Sequence, residues 1–318
     1  VLRAHCVIDA RLRPVAEAAR SDPEGFDPLE LRELAHRQGV AAPTVQALVL
    51  RGGADTVPVV VARWLRERGA TPTLSRCAVV TGGAVLALAL VPRLVEPRAM
   101  SSQGATRSWR LLLPEGMDGA ALLLTAPDGG VSRRALDAEG MVSVRFDRDG
   151  PWTLQVLANL PSGPVPVALW EEHVGASTLP TTTVDASVTN DRHLTAAINR
   201  LRSARGLTTL RRDPLLDMVA MDHARRLAAE GVLAHTPTPG ESPVDRLRGA
   251  GVSAERVAEN LARARSLAVA HARIANSPGH RANLLDPEID ALGIGVVRTE
   301  GMTYLVELFA LRPSLVGR

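Results

Sequence analysis

The chain has 318 residues, of which 46% are hydrophobic and 22% charged, which describes a folded protein and excludes a disordered one. All 37 basic residues are arginine. They nearly balance 34 acidic residues, for a net charge of +3. Arginines interspersed with Asp and Glu, together with only 3% aromatics, exclude the basic stripe and stacking rings of a nucleic-acid surface. The apolar run Cys77 to Val91 is shorter than the ~20 residues of a transmembrane helix and is interrupted by Gly82-Gly83, so an integral membrane protein is not expected. The chain is long for one core, and several domains are expected.

In chain order, residues 1–100 carry Cys6 and Cys77, and an even count permits one disulfide in an oxidising compartment. Two buried thiols are an equal alternative. The run from Cys77 reads as two strands around a glycine turn. This segment also resembles the far end of the chain. Asp9-Ala10-Arg11-Leu12 matches Asp213-Pro214-Leu215-Leu216, Gly39 and Val45 match Gly251 and Val257, and Ala62-Arg63-Trp64 matches Ala272-Arg273-Ile274. On that alignment Ala47 and Leu48 stand where the later segment has Glu259 and Asn260.

Residues 101–176 change character. Short apolar runs at Trp109–Leu113, Ala120–Thr125, Met141–Phe146, Trp152–Leu157 and Val165–Trp170 alternate with Gly- and Pro-rich turns, which predicts a small all-β sandwich. Trp109, Trp152 and Trp170 are expected in its core. A Thr- and Pro-rich linker, 177–190, follows.

Residues 191–318 alternate helices and strands. Asp191 to Gly206 predicts an amphipathic helix with Leu194, Ala197, Ile198 and Leu201 on one face. Asp213-Pro214 opens a second, closed by Gly231, and Ser242-Pro243 opens a third. Ser266 to Asn276 reads as a helix and Ser277-Pro278 starts another short turn. Leu292–Val297 and Thr303–Leu311 read as strands joined at Glu300-Gly301.

Within this segment His235, Glu259 and His280 each fall at an expected helix edge or in a loop, where they can converge on one cleft. Two imidazoles and a carboxylate suit acid–base chemistry, a divalent metal or a polar ligand. His235 and His280 are the candidate metal ligands. Asn260, Ser277 and Arg281 are candidates for the surrounding shell, with Ser277 better explained as a helix cap. His223 falls on an apolar stripe and reads as a core histidine. His5, His36, His173, His193 and His271 join no constellation.

The string His223-Ala224, His235, Pro243-Val244-Asp245-Arg246-Leu247, Glu259-Asn260, Ser277-Pro278-Gly279-His280-Arg281-Ala282-Asn283-Leu284-Leu285 and Gly293-Ile294-Gly295 resembles the CAP superfamily of cysteine-rich secretory, antigen-five and pathogenesis-related proteins, in its bacterial SCP-like form. The resemblance spans about residues 190–313. It implies an α-β-α sandwich whose central cleft gathers His235, Glu259 and His280, and hence an α+β multidomain chain: a degenerate CAP-like α/β domain, a middle all-β sandwich and a C-terminal CAP-like domain. Many eukaryotic members add a second glutamate to complete a metal-binding tetrad; here that region offers Ser277, and Ile274 replaces a common tryptophan.

The resemblance also implies a secreted or cell-envelope protein, with a signal peptide presumed removed before Val1. Its expected role is to bind a small molecule, a lipid, a cell-envelope component or a metal such as zinc. Two other readings stand beside it: a hydrolase in which His235 or His280 activates water with Glu259 orienting the imidazole, and a scaffold with a vestigial cleft.

Overall fold

The computed structural model describes residues 2–22, 28–51, 57–67, 75–82, 85–92, 95, 97–113, 118–160, 163–175, 184–299 and 301–313. The chain divides into two compact units, Val1–Ala158 with Pro166–Thr178, and Asn159–Val165 with Leu179–Arg318. The first hundred residues and most of the β-rich segment thus share one unit. The first half of the expected linker (177–183), and Gly83 and Glu300 of the expected turns, lie outside the described residues. Among the described residues no helix is long and apolar enough to cross a membrane.

In the first unit, β1 (Val7–Ile8), β2 (Gln46–Arg51), β3 (Ser75–Gly82) and β4 (Val85–Pro92) form a sheet in the order β1-β3-β4-β2. β1 is parallel to β3 and the other pairs are antiparallel. The period of two along β4 sends Ala87, Ala89 and Val91 to one face and Leu86, Leu88 and Leu90 to the other. The first face packs under α1 (Arg13–Ser21) and α2 (Pro28–Arg37). On the second, Val61, Trp64 and Leu65 of α3 (Val57–Glu67) pack beside Cys6 and Cys77. These two cysteines are disulfide-bonded, which settles a pairing that their number alone left open.

The β-rich segment forms two sheets. β5 (Pro97–Gln103), β6 (Thr106–Leu111) and β9 (Met141–Arg145) make one in the order β5-β6-β9. β7 (Asp118–Thr125), β8 (Val131–Ala135), β10 (Gly150–Leu160) and β11 (Gly163–Val174) make the other, ordered β11-β10-β7-β8. Trp109, Trp152 and Trp170 are buried, as expected, and meet edge-to-face with or through Phe146 at centroid separations of 5.2 to 6.2 Å. β5 and β8 were not foreseen; both are largely exposed and carry no apolar alternation to announce them.

The second unit contains α4 (Asp191–Ser203), β12 (Arg211–Arg212), α5 (Pro214–Glu230), α6 (Pro243–Gly249), β13 (Arg256–Ala264), α7 (Leu267–Ala275), α8 (Pro278–Leu284), β14 (Ala291–Thr299) and β15 (Met302–Leu311). Its sheet runs β12-β14-β15-β13, with β12 parallel to β14 and the rest antiparallel, the same order and directions as the N-terminal sheet. α5 and α6 cover one face; α4, α7 and α8 cover the other. The result is an α-β-α sandwich.

Capping chemistry explains the helices. Asp213 accepts from the Leu215 and Leu216 N–H groups ahead of Pro214, and Gly231 ends α5 in the left-handed region at φ +68°. Asp9 accepts likewise from Arg11, and the two aspartates also share a backbone bond: Asp9 N–H donates to Cys77 and Asp213 N–H to Leu292. α5 lies unusually close to β14. A Cβ at Gly293 would sit 2.3 Å from the Leu216 carbonyl carbon, and one at Gly295 only 2.2 Å from the Ala220 oxygen. Arg202 of α4, fully buried, donates to the carbonyls of Thr208, Leu284, Asp286 and Ile289 and so fastens the helix to the loop before β14.

Candidate functional site

Glu259 sits in the middle of β13, not at a helix edge or in a loop as its sequence context suggested. β13 is an edge strand, and adjacent residues on it point to opposite faces. Glu259 points toward α5 and α6, Asn260 toward α7 and α8. The Glu259 side chain is 2% exposed and would be costly to bury unpaired. Three groups answer its charge. His235, in the loop released by Gly231, places Nδ1 2.9 Å from Oε1. Arg246 donates through Nη2 to Oε2 at 2.5 Å. His223 of α5 holds Nε2 3.8 Å from Oε1 while hydrogen-bonding the Ala234 carbonyl.

Arg246 was not foreseen as a partner of Glu259. The capping box of Ser242 and Asp245 fixes the first turn of α6 and so sets where the next side chain points. Its Nη1 also donates to the carbonyls of His235 and Glu241, tying the His235 loop to the strand. The only signal for it was its place in the Pro243–Leu247 string. His223 is buried, as expected of a core histidine, yet it belongs to this cluster; desolvation lowers its pKa, against the opposing pull of Glu259.

On the other face, Asn260 donates from Nδ2 to the His280 carbonyl at 3.1 Å and to the Glu307 carboxylate at 3.0 Å. Asn283 donates to the Asn260 side-chain oxygen at 2.9 Å. Asn260 and Glu307 are fully buried, so this network fixes α8, and with it His280, against β13. Glu307 and Asn283 were not foreseen as parts of the site.

His280 is half-buried and its Nδ1 has no hydrogen-bond partner among the described residues. Desolvation, reinforced by the nearby His235, pushes its pKa down to about 4, so the ring is neutral at physiological pH. Ser277 occupies the N-cap position of α8 but its side chain makes no capping bond. Arg281 donates to the Ala275 carbonyl and links α8 to α7.

The structure therefore joins His235 and Glu259 directly, sets His280 within electrostatic reach of His235, and uses Asn260 to hold the backbone of His280. Because Nδ1 of His235 faces a carboxylate, the neutral ring carries its proton there and leaves Nε2 as an acceptor. Such a ring is a base, a hydrogen-bond acceptor or a metal ligand.

A zinc ion would find two imidazoles here. Glu259 does not add a third ligand, since His235 and Arg246 occupy its two oxygens. Among the described residues no group of three His, Cys, Asp or Glu side chains has an arrangement able to hold a metal. Catalytic zinc sites use three protein ligands and structural ones four, so this donor set falls short of either.

An α-β-α sandwich with an imidazole pair and a clamped glutamate at one sheet edge defines the class of domain. Residues 195–309 match the family model "CAP: Cysteine-rich secretory protein family", and this part of the chain is a CAP domain of that superfamily. No curated protein matches the chain. Among solved structures, the chain is similar to an outer surface protein from Borrelia burgdorferi, at 27% identity over 38% of this chain and 92% of that one, with a TM-score of 0.37. It is also similar to an extracellular SCP-domain protein from Bacillus anthracis, at 17% identity over 69% and 86% of the two chains and a TM-score of 0.35. A cysteine-rich secretory protein from Staphylococcus aureus aligns at 13% identity over 69% and 86%, with a TM-score of 0.33.

Proposed function

We propose that the CAP domain is an extracellular binding module whose cleft offers Nε2 of His235 and the neutral ring of His280 to a small polar ligand. The observation that carries this reading is the saturation of Glu259. With His235 on one oxygen and Arg246 on the other, the carboxylate acts by orienting the imidazole, and the two histidines are the groups left to meet a ligand. Membership in a secretory-protein family supports the extracellular setting.

The test is a thermal-shift series on the full chain with zinc chloride and with N-acetylglucosamine oligomers, beside His235→Ala and His280→Ala. A ligand-dependent rise in Tm that both variants abolish supports the module. Equal responses in all three proteins, or none in any, leave the cleft vestigial and the chain a scaffold.

One observation favours a second reading. The 2.9 Å contact from His235 Nδ1 to Glu259 is the orienting half of an acid–base pair, and a water at Nε2 would be activated by it. Hydrolysis of peptide or ester substrates that is lost in both His235→Ala and Glu259→Gln would establish this reading over the first.

We also infer that the first hundred residues are a degenerate copy of the CAP domain. Supporting this, both sheets share strand order and direction, and the β1–β3 pair Ile8 with Cys77 corresponds to Arg212 with Leu292. Following the ladders from there, Gln46 opposite Leu90 corresponds to Ala258 opposite Phe309. Ala47 and Leu48 then occupy the places of Glu259 and Asn260, and Leu88 that of Glu307. The copy keeps the frame and replaces the polar residues with apolar ones.

A further inference from the structure

Glu259 holds one edge of the His235 ring, and the opposite edge has a neighbour from outside the matched residues 195–309. Gly163 opens β11, and Asn159–Val165 belongs to the same compact unit as the CAP domain. A Cβ built on Gly163 would lie 3.0 Å from His235 Cβ, 3.4 Å from Cδ2 and 3.5 Å from Cγ. Cγ is bonded to both of the other atoms yet is the farthest of the three. The position therefore lies close to the ring plane, in the angle between Cβ and Cδ2, on the edge away from Nδ1. Glu259 meets the ring at Nδ1, 2.9 Å away, so the two residues flank it from opposite edges and leave Nε2 at its far end. The backbone of residue 163 comes this near because it carries no side chain, since carbon atoms in contact settle at about 3.5–4.0 Å. Its φ of +110° is also one that glycine adopts without steric cost. Although His235 stands in a loop, its side chain is only 16% exposed, and Gly163 supplies part of that cover.

We propose that Gly163 is a positioning residue for His235: its backbone is the wall beside Cδ2 that holds the ring in plane against Glu259 and aims Nε2 at the ligand. The inference rests on the reading of His235 as a group that meets a ligand. Three contacts then fix one histidine, with Arg246 on its carbonyl, Glu259 on Nδ1 and Gly163 along the Cδ2 edge. The third comes from a segment that the family domain does not include, so the site is incomplete without it. The consequence for specificity is steric. The backbone of residue 163 closes the Cδ2 side of Nε2, and the ligand presents a small hydrogen-bond donor, a hydroxyl or an amide N–H, from the Cε1 side.

The full chain, isotopically labelled at histidine and glycine, tests the contact without any ligand. A nuclear Overhauser effect between Gly163 Hα and His235 Hδ2 is expected. Gly163→Ala should shift the His235 ring resonances and leave those of His193 unmoved. Gly104→Ala, at a positive φ of +56° with open space around it, should leave His235 unmoved as well. A double-mutant cycle separates the contact from backbone strain. With the imidazole removed by His235→Ala, the fall in urea midpoint caused by Gly163→Ala should shrink to about half or less. If Gly163→Ala alone does not fold, adding His235→Ala should restore folding. Absence of the Overhauser effect, His235 resonances that Gly163→Ala does not move, an equal midpoint loss in both backgrounds or no rescue overturns the proposal. The contact with no Tm response to zinc chloride or N-acetylglucosamine oligomers would remove the binding reading and keep Gly163 as the residue that positions His235.

Discussion

Glu259→Gln removes the charge on which His235 and Arg246 converge while keeping the side chain's shape. At contact distance in an effective dielectric near 20, an ion pair is worth about 4 kcal/mol, and breaking one partner of a buried pair costs about 3–5 kcal/mol. Arg246 and His235 are 15% and 16% exposed, and Arg246 keeps two carbonyl acceptors, so the lower end applies: about 3 kcal/mol. Arg246→Met should also destabilise, because it leaves the buried Glu259 carboxylate with His235 as its direct partner. Urea unfolding of both single variants and the double variant gives the coupling. The double variant should be less destabilised than the sum of the singles by at least about 1.5 kcal/mol, with unchanged m-values. Additivity within about 0.5 kcal/mol would show that the clamp does not exist in solution and that the placement of His235 needs another cause.

Other outcomes follow from the same geometry. Gly295→Ala and Gly293→Ala drive a methyl group into the α5 backbone and should each destabilise the CAP domain by about 2 kcal/mol or more, whereas Gly249→Ala, with open space around it, should be nearly silent in the same urea measurement. Reducing the Cys6–Cys77 bond, which closes a loop across 71 residues, should cost the N-terminal unit about 4 kcal/mol by chain entropy; an unchanged urea midpoint after reduction would rule that out. His36 and His280 are both held near pKa 4 by burial, below the unfolded value of 6.5, so their folded forms bind fewer protons. Their contribution is complete above pH 6.5 and declines as pH falls toward 4. His280→Gln should flatten that decline in the CAP domain's urea midpoints, and an unaltered pH profile would argue against a buried neutral ring.

The helices of the CAP domain were legible because their ends carry local chemistry. Asp213-Pro214, Ser242-Pro243 and Gly231 state where a helix starts or stops, whatever packs on it. β13 was not legible, since Arg256–Ala264 has both faces covered and places Glu259 and Asn260 in buried positions, which erases the alternation a strand usually shows. Partnerships across the fold were the least visible. Nothing near Arg246 in the sequence names Glu259, and nothing near Asn260 names Glu307, because those pairs form only when the sheet assembles. His223 shows the same limit: its apolar stripe correctly indicated burial but not the carboxylate beside it.

The account centres on how His235 and His280 are held, and nitrogen-detected NMR of the histidine rings measures this directly. Full-chain protein labelled at histidine should show the His235 tautomer with its proton on Nδ1, and a His280 that is neutral at pH 7 and titrates near 4. Glu259→Gln should release the His235 tautomer and leave His280 in place. A His235 ring protonated at Nε2 in the parent protein, or a His280 that titrates near 6.5, would contradict the arrangement described.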